Sequence, residues 1–381
     1  MKKWIKRLLK FAAAPILILV VLAILVLIGW RANLQSAVAQ ARQIDSPNGI
    51  DLIEAIEIGG TRQWIQVRGH DQSNPILLFL HGGPGSAMMP LGHVFQTPWE
   101  EHFTVAQWDQ RESGKSYRGE GNAETMTTER MIMDTLEVVD YLRERFDQDK
   151  IVVTGHSWGT YLGLNVIQLK PEWFHAYVGV GQVVNMQENE RVTYEYTLQQ
   201  AKEHGDAEAL AELEALAPYP SPEKIADKMM VQRKWLMAYG GSLYGEESYA
   251  PFIAAILASP DYSWLDIYRF ATGMEFVMDY LLDPLLAVDI TALGTEYQVP
   301  IFIFSGRYDY QVPSVINEAW FETITAPHKE YIWFEESCHS PMLAEVDRFT
   351  QELVKRVLPF TQQGESAETD VDSEAKIHPP M

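Results

Sequence analysis

The sequence predicts an α/β protein: a mostly parallel sheet with helices on both faces and a helical cap insertion, preceded by an N-terminal transmembrane helix. Three features predict this fold class. Short apolar runs alternate with segments of helical periodicity, strand-like runs nearly vanish over residues 183–293, and an uncharged run covers residues 11–30. Short strands that alternate with helices imply parallel crossovers, with helices on both faces of the sheet.

The composition divides the chain into two parts of opposite charge. Its 381 residues include 30 Lys and Arg against 52 Asp and Glu, for a net charge of −22. Residues 1–44 hold seven basic residues and no acidic one, so the remainder carries −29. This acidic balance argues against a nucleic-acid partner, because phosphates require a basic face. The single cysteine excludes an intrachain disulfide.

The first 31 residues are predicted to be a membrane anchor with a basic cytoplasmic flank. The flank precedes Phe11–Trp30, and these twenty residues would span roughly 30 Å as a helix, the thickness of a hydrocarbon core. Basic flanks stay cytoplasmic, so we expect a single pass with the main domain periplasmic or extracellular. The alternative is a signal peptide cleaved near Ala39, since Ala37-Val38-Ala39 resembles a cleavage site, which would give a secreted protein.

The rest of the chain divides where the pattern changes. The predicted segments are a polar linker (32–48), the first part of the sheet domain (49–182), a helical cap (183–293), the second part of the sheet domain (294–360) and a disordered acidic tail (361–381). Six apolar runs are predicted as strands: Ile76–Leu80, Phe103–Trp108, Ile151–Val153, Ala176–Val180, Ile301–Phe304 and Tyr331–Phe334.

One motif identifies a candidate nucleophile. Gly155-His156-Ser157-Trp158-Gly159 follows the strand Ile151–Val153 and precedes a helix. A G-x-S-x-G sequence in this context places serine on a strained turn from which its hydroxyl projects, and bulky neighbours would clash there. Ser157 is therefore the predicted nucleophile.

A second glycine-rich loop, His81-Gly82-Gly83-Pro84-Gly85, follows the strand Ile76–Leu80. A loop at this place supplies one backbone N–H of an oxyanion hole, and the residue after the nucleophile supplies the other. We assign these donors to Gly83 and Trp158. The alternative is a Gly/Pro turn without chemistry.

The predicted acid and base come late in the chain. Asp309 follows the strand Ile301–Phe304, and His339 follows the strand Tyr331–Phe334. Functional groups collect at the carboxyl ends of parallel strands, and the order Ser, Asp, His is the order expected for this turn. His339 would take the Ser157 proton, while Asp309 fixes the tautomer of the imidazole.

Other residues compete for these roles. Asp283 precedes Pro284 and better fits a cap or turn, and the side chain of His156 is expected to point away from the tip of the turn. His328 precedes the last strand, and Cys338 lies in no suitable turn, so packing is its expected role. No H-E-x-x-H or complete P-loop is present, so we expect neither a metal nor a cofactor.

With these motifs in place, residues 50–358 resemble the α/β-hydrolase superfamily, and within it the proline iminopeptidase-like branch of the prolyl aminopeptidase type. The resemblance also includes Trp108-Asp109-Gln110-Arg111, Ser113-Gly114-Lys115-Ser116 and Gly306-Arg307-Tyr308-Asp309. It implies a serine hydrolase with a helical cap over the carboxyl ends of its strands. Two residues depart from the pattern, since the family usually has glycine at the positions of His156 and Glu112.

In proline iminopeptidases, acidic cap residues bind the free amine of the first substrate residue. The resemblance therefore implies substrate-binding candidates among Glu188, Glu190 and Glu195, with Glu112 added because it replaces a glycine near the site. A buried ammonium requires a paired carboxylate. Cap aromatic residues could line a pocket for a proline-like ring or simply pack the cap: Tyr194, Tyr196, Trp235 and Tyr239.

The function predicted from the sequence is that of a membrane-anchored serine hydrolase, favoured as an aminopeptidase or amidase that acts through an acyl-enzyme. Its expected partners are a small peptide, amide or ester substrate and a lipid bilayer. The alternative within the fold is an esterase or lipid-acting hydrolase. An alternative of another class is a ligand-binding receptor with slow turnover.

Overall fold

The computed structural model describes residues 2–119, 121–246 and 248–362, with side chains from Pro15 onward. The predicted acidic tail beyond Gln362 lies outside the described residues. Within them, eight strands form one sheet: β1 Ile50–Ile58, β2 Thr61–Gly69, β3 Ile76–Leu80, β4 Thr104–Asp109, β5 Ile151–His156, β6 Phe174–Val180, β7 Ile301–Gly306 and β8 Lys329–Phe334.

The sheet has the order β1-β2-β4-β3-β5-β6-β7-β8. The β1–β2 and β2–β4 pairs are antiparallel. All the other neighbouring pairs, from β4–β3 to β7–β8, are parallel. The predicted α/β class with a mostly parallel sheet is therefore confirmed. Twelve α-helices accompany the strands in the described residues: α1 Lys2–Ala41, α2 Gly92–Phe95, α3 Thr128–Phe146, α4 Trp158–Leu169, α5 Met186–His204, α6 Ala207–Glu214, α7 Ile225–Ala238, α8 Ala250–Ala258, α9 Trp264–Leu286, α10 Ser314–Thr323, α11 Pro341–Ala344 and α12 Val346–Glu352.

Two apolar cores cover the two faces of the sheet, because successive strand side chains point to opposite sides. Leu78 of β3 packs in the core shared with α3, α4 and α10. Leu77 and Phe79 pack on the other face, in the core shared with α2 and α12. The buried strands therefore carry apolar residues at consecutive positions, which is typical of a sheet covered on both faces.

Helices α5–α9 form the insertion between β6 and β7, above the carboxyl ends of the strands. Part of the insertion has a small apolar core of its own, which includes Leu213 and Trp235. Asn189 and Thr193 of α5 join the insertion to the β7 loop, since their side chains bond the backbone oxygens of Gln311 (3.0 Å) and Tyr310 (2.8 Å). The cap is thereby held close to the loop that carries Asp309.

Helix α1 continues to Ala41, so ten residues of the stretch predicted as a linker are helical. Their composition, rich in Ala, Leu and Gln, favours a helix. Residues 15–30 present exposed apolar side chains around the helix. By length and composition this is the one helix in the described part of the chain that could cross a membrane.

Candidate active site

Ser157 lies on the sharp turn between β5 and α4. Its backbone has φ 55° and ψ −121°, a combination that costs a non-glycine residue of order 1–3 kcal/mol. The turn is held because the Ser157 N–H donates to the carbonyl oxygen of Val180 at 2.9 Å. The backbone passes so closely that a Cβ at Gly159 would lie 2.1 Å from the carbonyl oxygen of Leu80. Gly159 of the motif is therefore required, because no larger residue fits at this position.

Asp309 and His339 meet at the carboxyl ends of β7 and β8. Asp309 Oδ2 lies 2.9 Å from His339 Nδ1, and both side chains are buried. Oδ1 of Asp309 accepts the backbone N–H groups of Gln311 at 3.0 Å and Val312 at 2.9 Å. With one oxygen fixed by backbone donors, the other is free to accept from Nδ1, which leaves Nε2 of His339 as the basic nitrogen.

The end of β6 connects the serine turn with the histidine. Val180 accepts the Ser157 N–H, and the next residue, Gly181, lies against the His339 imidazole. His339 Nε2 is buried and has no hydrogen-bond partner among the described residues. The structure thus brings the three predicted residues to one end of the sheet, without a hydrogen bond between the Ser157 hydroxyl and His339.

Gly181 is a site residue that the motifs missed. A Cβ at this position would lie 2.7 Å from Cε1 and 2.8 Å from Nδ1 of His339, and its φ of 58° favours glycine independently. The signal in the sequence is the Gly179-Val180-Gly181 run, which closes the predicted strand Ala176–Val180 and places Gly181 directly after it.

The glycine-rich loop after β3 packs directly on the serine turn. A Cβ at Gly82 would lie 2.8 Å from the Cβ of Ser157, so the loop that carries Gly83 is as close to the serine as its backbone allows. Burial lowers the pKa of His81 to about 4, so this imidazole is neutral. One ring nitrogen bonds the Gly82 oxygen (2.9 Å), and the other accepts the Gln110 N–H (3.2 Å).

Gln110 ties the loop after β3 to the helix that follows the serine. Its side-chain amide donates to the His81 carbonyl oxygen at 2.9 Å, and its amide oxygen accepts from the Trp158 indole at 3.3 Å. The next residue, Arg111, forms a buried bidentate pair with Asp134 of α3, at 2.6 and 3.0 Å. These contacts give a physical role to the Trp108–Arg111 motif, which sequence reasoning carried only as a family resemblance.

His156 contacts the backbone of the predicted base. Its Nε2 lies 3.0 Å from the His339 carbonyl oxygen, and the two rings are 4.8 Å apart. Burial and the neighbouring His339 lower the pKa of His156 to about 3, so the ring is a neutral donor. The residue that replaces a family glycine therefore supports the His339 loop.

Glu112 occupies the second position where the family has glycine, and its φ of 58° explains that preference. The side chain accepts the Asn122 N–H at 3.3 Å, and burial raises its pKa. The backbone carbonyl of Glu112 packs near Gly273 of α9. The structure gives Glu112 no contact with Ser157 or His339.

The three cap glutamates differ in their surroundings. Glu188 is half-buried and Glu195 exposed, and both pair with Arg191, at 2.5 and 2.6 Å. Glu190 is fully buried in α5, where it pairs with Arg233 and accepts from the Tyr219 hydroxyl. Glu190 is thus the one buried residue of the three, and its charge is already compensated.

The rival residues lie elsewhere or are inert. Asp283 is in α9, and His328 bonds Glu330 at 2.7 Å at the start of β8. Burial raises the pKa of the Cys338 thiol to about 12, and the thiol donates to the Gly240 oxygen at 3.1 Å. Trp235 packs in the small core of the cap, and Tyr196 stacks on Tyr310.

A cavity of about 350 Å³ adjoins the His339 loop. Ser340 and Cys338 form one side of it, Leu91 a second side, and Phe252 and Ala255 of α8 the side formed by the cap. Ser340 also lies 3.4 Å from His156 Nε2. The cavity therefore lies beside the loop that carries His339.

Comparison with known proteins agrees with this architecture. A family model described as the alpha/beta hydrolase fold matches residues 75–345. The probable aminopeptidase YbaC of Bacillus subtilis (strain 168) is 31% identical over 310 residues, which cover 81% of this chain and 97% of that protein.

Two solved structures share the fold. A proline iminopeptidase-related protein of Thermus thermophilus superimposes with a TM-score of 0.59 at 20% identity, covering 82% of this chain and 99% of the other. A membrane phospholipase A described as a bacterial virulence factor gives a TM-score of 0.58 at 14% identity, covering 95% of this chain and 99% of the other. The family match over most of the sheet and cap confirms the predicted resemblance: this chain belongs to the α/β-hydrolase fold family and is similar to its proline iminopeptidase branch.

Proposed function

We propose that this protein is a membrane-anchored serine hydrolase in which Ser157 is the nucleophile, His339 the general base and Asp309 the residue that orients the base. The observation that carries the proposal is the 2.9 Å hydrogen bond between Asp309 Oδ2 and His339 Nδ1, at the end of the sheet where the strained Ser157 turn lies. Buried imidazole–carboxylate pairs beside a strained serine are the arrangement that activates a hydroxyl.

The proposed reaction has two halves. The Ser157 oxygen attacks the substrate carbonyl while His339 Nε2 takes its proton, and Asp309 stabilises the resulting imidazolium. The backbone N–H groups of Gly83 and Trp158 stabilise the oxyanion, and loss of one such donor typically costs ~10²–10³ in rate. The imidazolium protonates the leaving amine or alcohol, and water deprotonated by His339 then cleaves the acyl–Ser157 ester.

The favoured substrate is a peptide or amide with a free N-terminal residue. The support is the relative named as a probable aminopeptidase, which this chain matches over nearly the whole length of that relative. Within the cap, Glu190 is the buried carboxylate on the helix that contacts the Asp309 loop, through the bond from Asn189 to Gln311. An ammonium group bound there would have to share Glu190 with Arg233.

One observation favours an ester substrate as the second candidate. All three cap glutamates already pair with arginine, Glu190 with Arg233 and the other two with Arg191. The Glu190–Arg233 pair has zero net charge and attracts an ammonium weakly. Arg191 leaves a net charge of only −1 on the surface cluster with Glu188 and Glu195. A neutral ester has no need of a carboxylate. An anchored enzyme also works beside a bilayer, where lipid esters are concentrated.

We propose further that α1 is a retained anchor with its basic end in the cytoplasm. Arg31 is buried against the cap and donates to the backbone oxygens of Leu257 (3.0 Å) and Tyr262 (2.6 Å). Gln35 donates to the Ser259 oxygen at 2.7 Å. Cleavage near Ala39 would remove both residues and leave these carbonyl groups without their donors, so the contacts favour an intact helix.

A fluorophosphonate probe tests the nucleophile, since it forms a covalent bond only with an activated serine. The full-length protein in detergent should be labelled, and Ser157→Ala should abolish labelling. A matched control is Ser340→Ala, which removes a nearby hydroxyl and should retain labelling. A protein that stays unlabelled would instead fit the ligand-binding receptor.

Substrate class is tested by comparing proline anilide, acetylated proline anilide and a short-chain ester. An aminopeptidase should cleave the free amine in strong preference to the acetylated compound, and Glu190→Gln should raise KM for the free amine alone. An esterase should prefer the ester, and Glu190→Gln should leave that preference unchanged. Equal cleavage of the free and blocked anilides would contradict amine recognition.

A further inference from the structure

A continuous apolar face covers residues 249–268, which include α8 and the first turns of α9. Helix α8 has the sequence APFIAAILA and none of its residues is buried. Large exposed side chains continue the surface, with Ile253 58% exposed, Leu265 54% and Tyr268 64%. Exposed apolar surface of this extent marks a site of interaction.

The 249–268 face exposes no charged side chain. Its two charged residues, Asp261 and Asp266, are both buried. Asp261 pairs with Arg42 at 2.6 Å, and Asp266 pairs with Lys115 at 2.9 Å. The chain as a whole has a net charge of −22. The 249–268 face, by contrast, is an electrically neutral surface, because both of its charged side chains are buried and paired.

This face is joined to the helix α1. Arg31 donates to the Leu257 oxygen in the last turn of α8, and its guanidinium lies 4.5 Å from the centre of the Trp264 ring. The segment of α1 that precedes Arg31, residues 15–30, is exposed and apolar. The last residue of that segment, Trp30, is an indole that favours the interface of a bilayer. The apolar face therefore begins at the height where α1 would leave the membrane.

We propose that the 249–268 face lies in the interfacial layer of the bilayer that α1 spans, so that the cap rests on the membrane. The inference rests on the proposed anchoring. Trp264, Tyr249 and Tyr268 are the residue types that concentrate at this depth. Because the face carries no exposed charge, its occupant is a phospholipid surface held by apolar burial, without a requirement for anionic headgroups.

The same helix forms a wall of the cavity beside the His339 loop. Phe252 and Ala255 point into the cavity, while Ile253 between them points outward. Seating of α8 in the interface therefore brings that cavity to the level of the lipid headgroups.

Depth-dependent quenching tests the seating in the full-length protein, reconstituted in phosphatidylcholine vesicles. An environment-sensitive nitrobenzoxadiazole probe is attached through Ile253→Cys or Leu265→Cys, and nitroxide lipids are added. Val315→Cys on α10 is the matched control, since Val315 is 60% exposed but lies on a helix of the sheet domain. Ile24→Cys reports on α1 itself. Cys338 is buried, so the unmodified chain checks for stray labelling.

We expect shallow nitroxides to quench most of the emission at positions 253 and 265, with emission at position 315 unchanged and deep nitroxides quenching position 24. Quenching at position 24 without quenching at 253 and 265 overturns the seating while anchoring stands. Absence of quenching at position 24 overturns the anchoring and the seating with it. A probe at position 253 whose emission is blue-shifted but unquenched would overturn the seating if the blue shift disappears when added lipid dilutes the protein. That result would show that a second copy of the chain covers the face.

Discussion

His156 Nε2 lies 3.0 Å from the backbone oxygen of His339, so the residue before the serine supports the loop that carries the proposed base. The family usually has glycine at this position, which makes the contact a feature of this chain. Because His156 is neutral and contacts the backbone of His339, we treat it as a positioning residue.

Replacement of His156 by Ala should lower kcat by roughly 10–10²-fold with little change in KM, since a small displacement of a base slows proton transfer more than binding. His156→Asn, which keeps a donor, should restore part of the loss. His328→Ala is the control, because that histidine bonds Glu330 at the opposite end of β8. Unchanged kcat in His156→Ala would show that His339 needs no such support.

Substitution of Gly181 by Ala should reduce the rate of fluorophosphonate labelling by about 10²-fold, because the new methyl group would displace His339 from its bond with Asp309. Gly205→Ala is a matched control, since Gly205 also has a positive φ of 65° but no atom within 4 Å of a new Cβ. Both variants place alanine at a positive φ. Equal labelling rates in the two would contradict the contact with His339.

The buried Glu190–Arg233 pair should behave differently from the exposed pairs of Arg191. Arg233→Met leaves a buried carboxylate without its partner and should lower the free energy of unfolding by ~3–5 kcal/mol. The double variant with Glu190→Gln should recover much of that loss. Arg191→Met should cost less than about 1 kcal/mol, because its partners lie at the surface. Chemical unfolding in detergent measures all three.

Stability at acid pH should depend on buried histidines. Burial lowers the pKa of His81 to about 4 and that of His156 to about 3, against 6.5 for an exposed histidine. Below pH 6.5 the unfolded chain binds protons on these rings and the folded chain does not, so stability is lost as the pH falls toward 4. His156→Gln should flatten that loss in the unfolding temperature measured from pH 7 to pH 5.

Asp109 should act with the opposite sign. Burial raises the pKa of this carboxyl to about 7, so the folded chain holds a proton that the unfolded chain loses above pH 4. Stability is therefore lost as the pH rises from 4 to 7. Relative to the parent protein, Asp109→Asn should become more stable by ~3 kcal/mol on going from pH 5 to pH 8, since the change covers about two pKa units and each corresponds to ~1.4 kcal/mol. If the difference in free energy of unfolding between Asp109→Asn and the parent does not change with pH, Asp109 is not protonated in the folded chain. Asp279→Asn, at an exposed position, is the control.

The sequence predicted the central strands well and missed the edge of the sheet. Ile76–Leu80 has the predicted bounds because it is buried on both faces, which makes it a continuous apolar run. The hairpin of β1 and β2 alternates apolar with charged residues, and β1 is partly exposed at the sheet edge, so neither strand stood out as an apolar run.

The sequence anticipated the position of residues whose motif lies next to a strand, and it missed contacts that depend on packing. Ser157, Asp309 and His339 each follow a strand, so their convergence on one end of the sheet could be anticipated. The contacts of His156 and Gly181 with His339 join parts of the chain distant in sequence, which no local pattern encodes. The pairing of Glu190 with Arg233 likewise depends on how α5 and α7 pack.

The most direct test of the account is to identify the residue that becomes covalently bound. Intact mass and peptide mapping of the full-length protein after fluorophosphonate treatment should show one adduct, on the peptide that contains Ser157. His339→Ala should slow formation of the adduct by several orders of magnitude, and Asp309→Asn should slow it by a smaller factor. An adduct on any other residue, or unchanged rates in both variants, would contradict the proposed Ser157–His339–Asp309 mechanism.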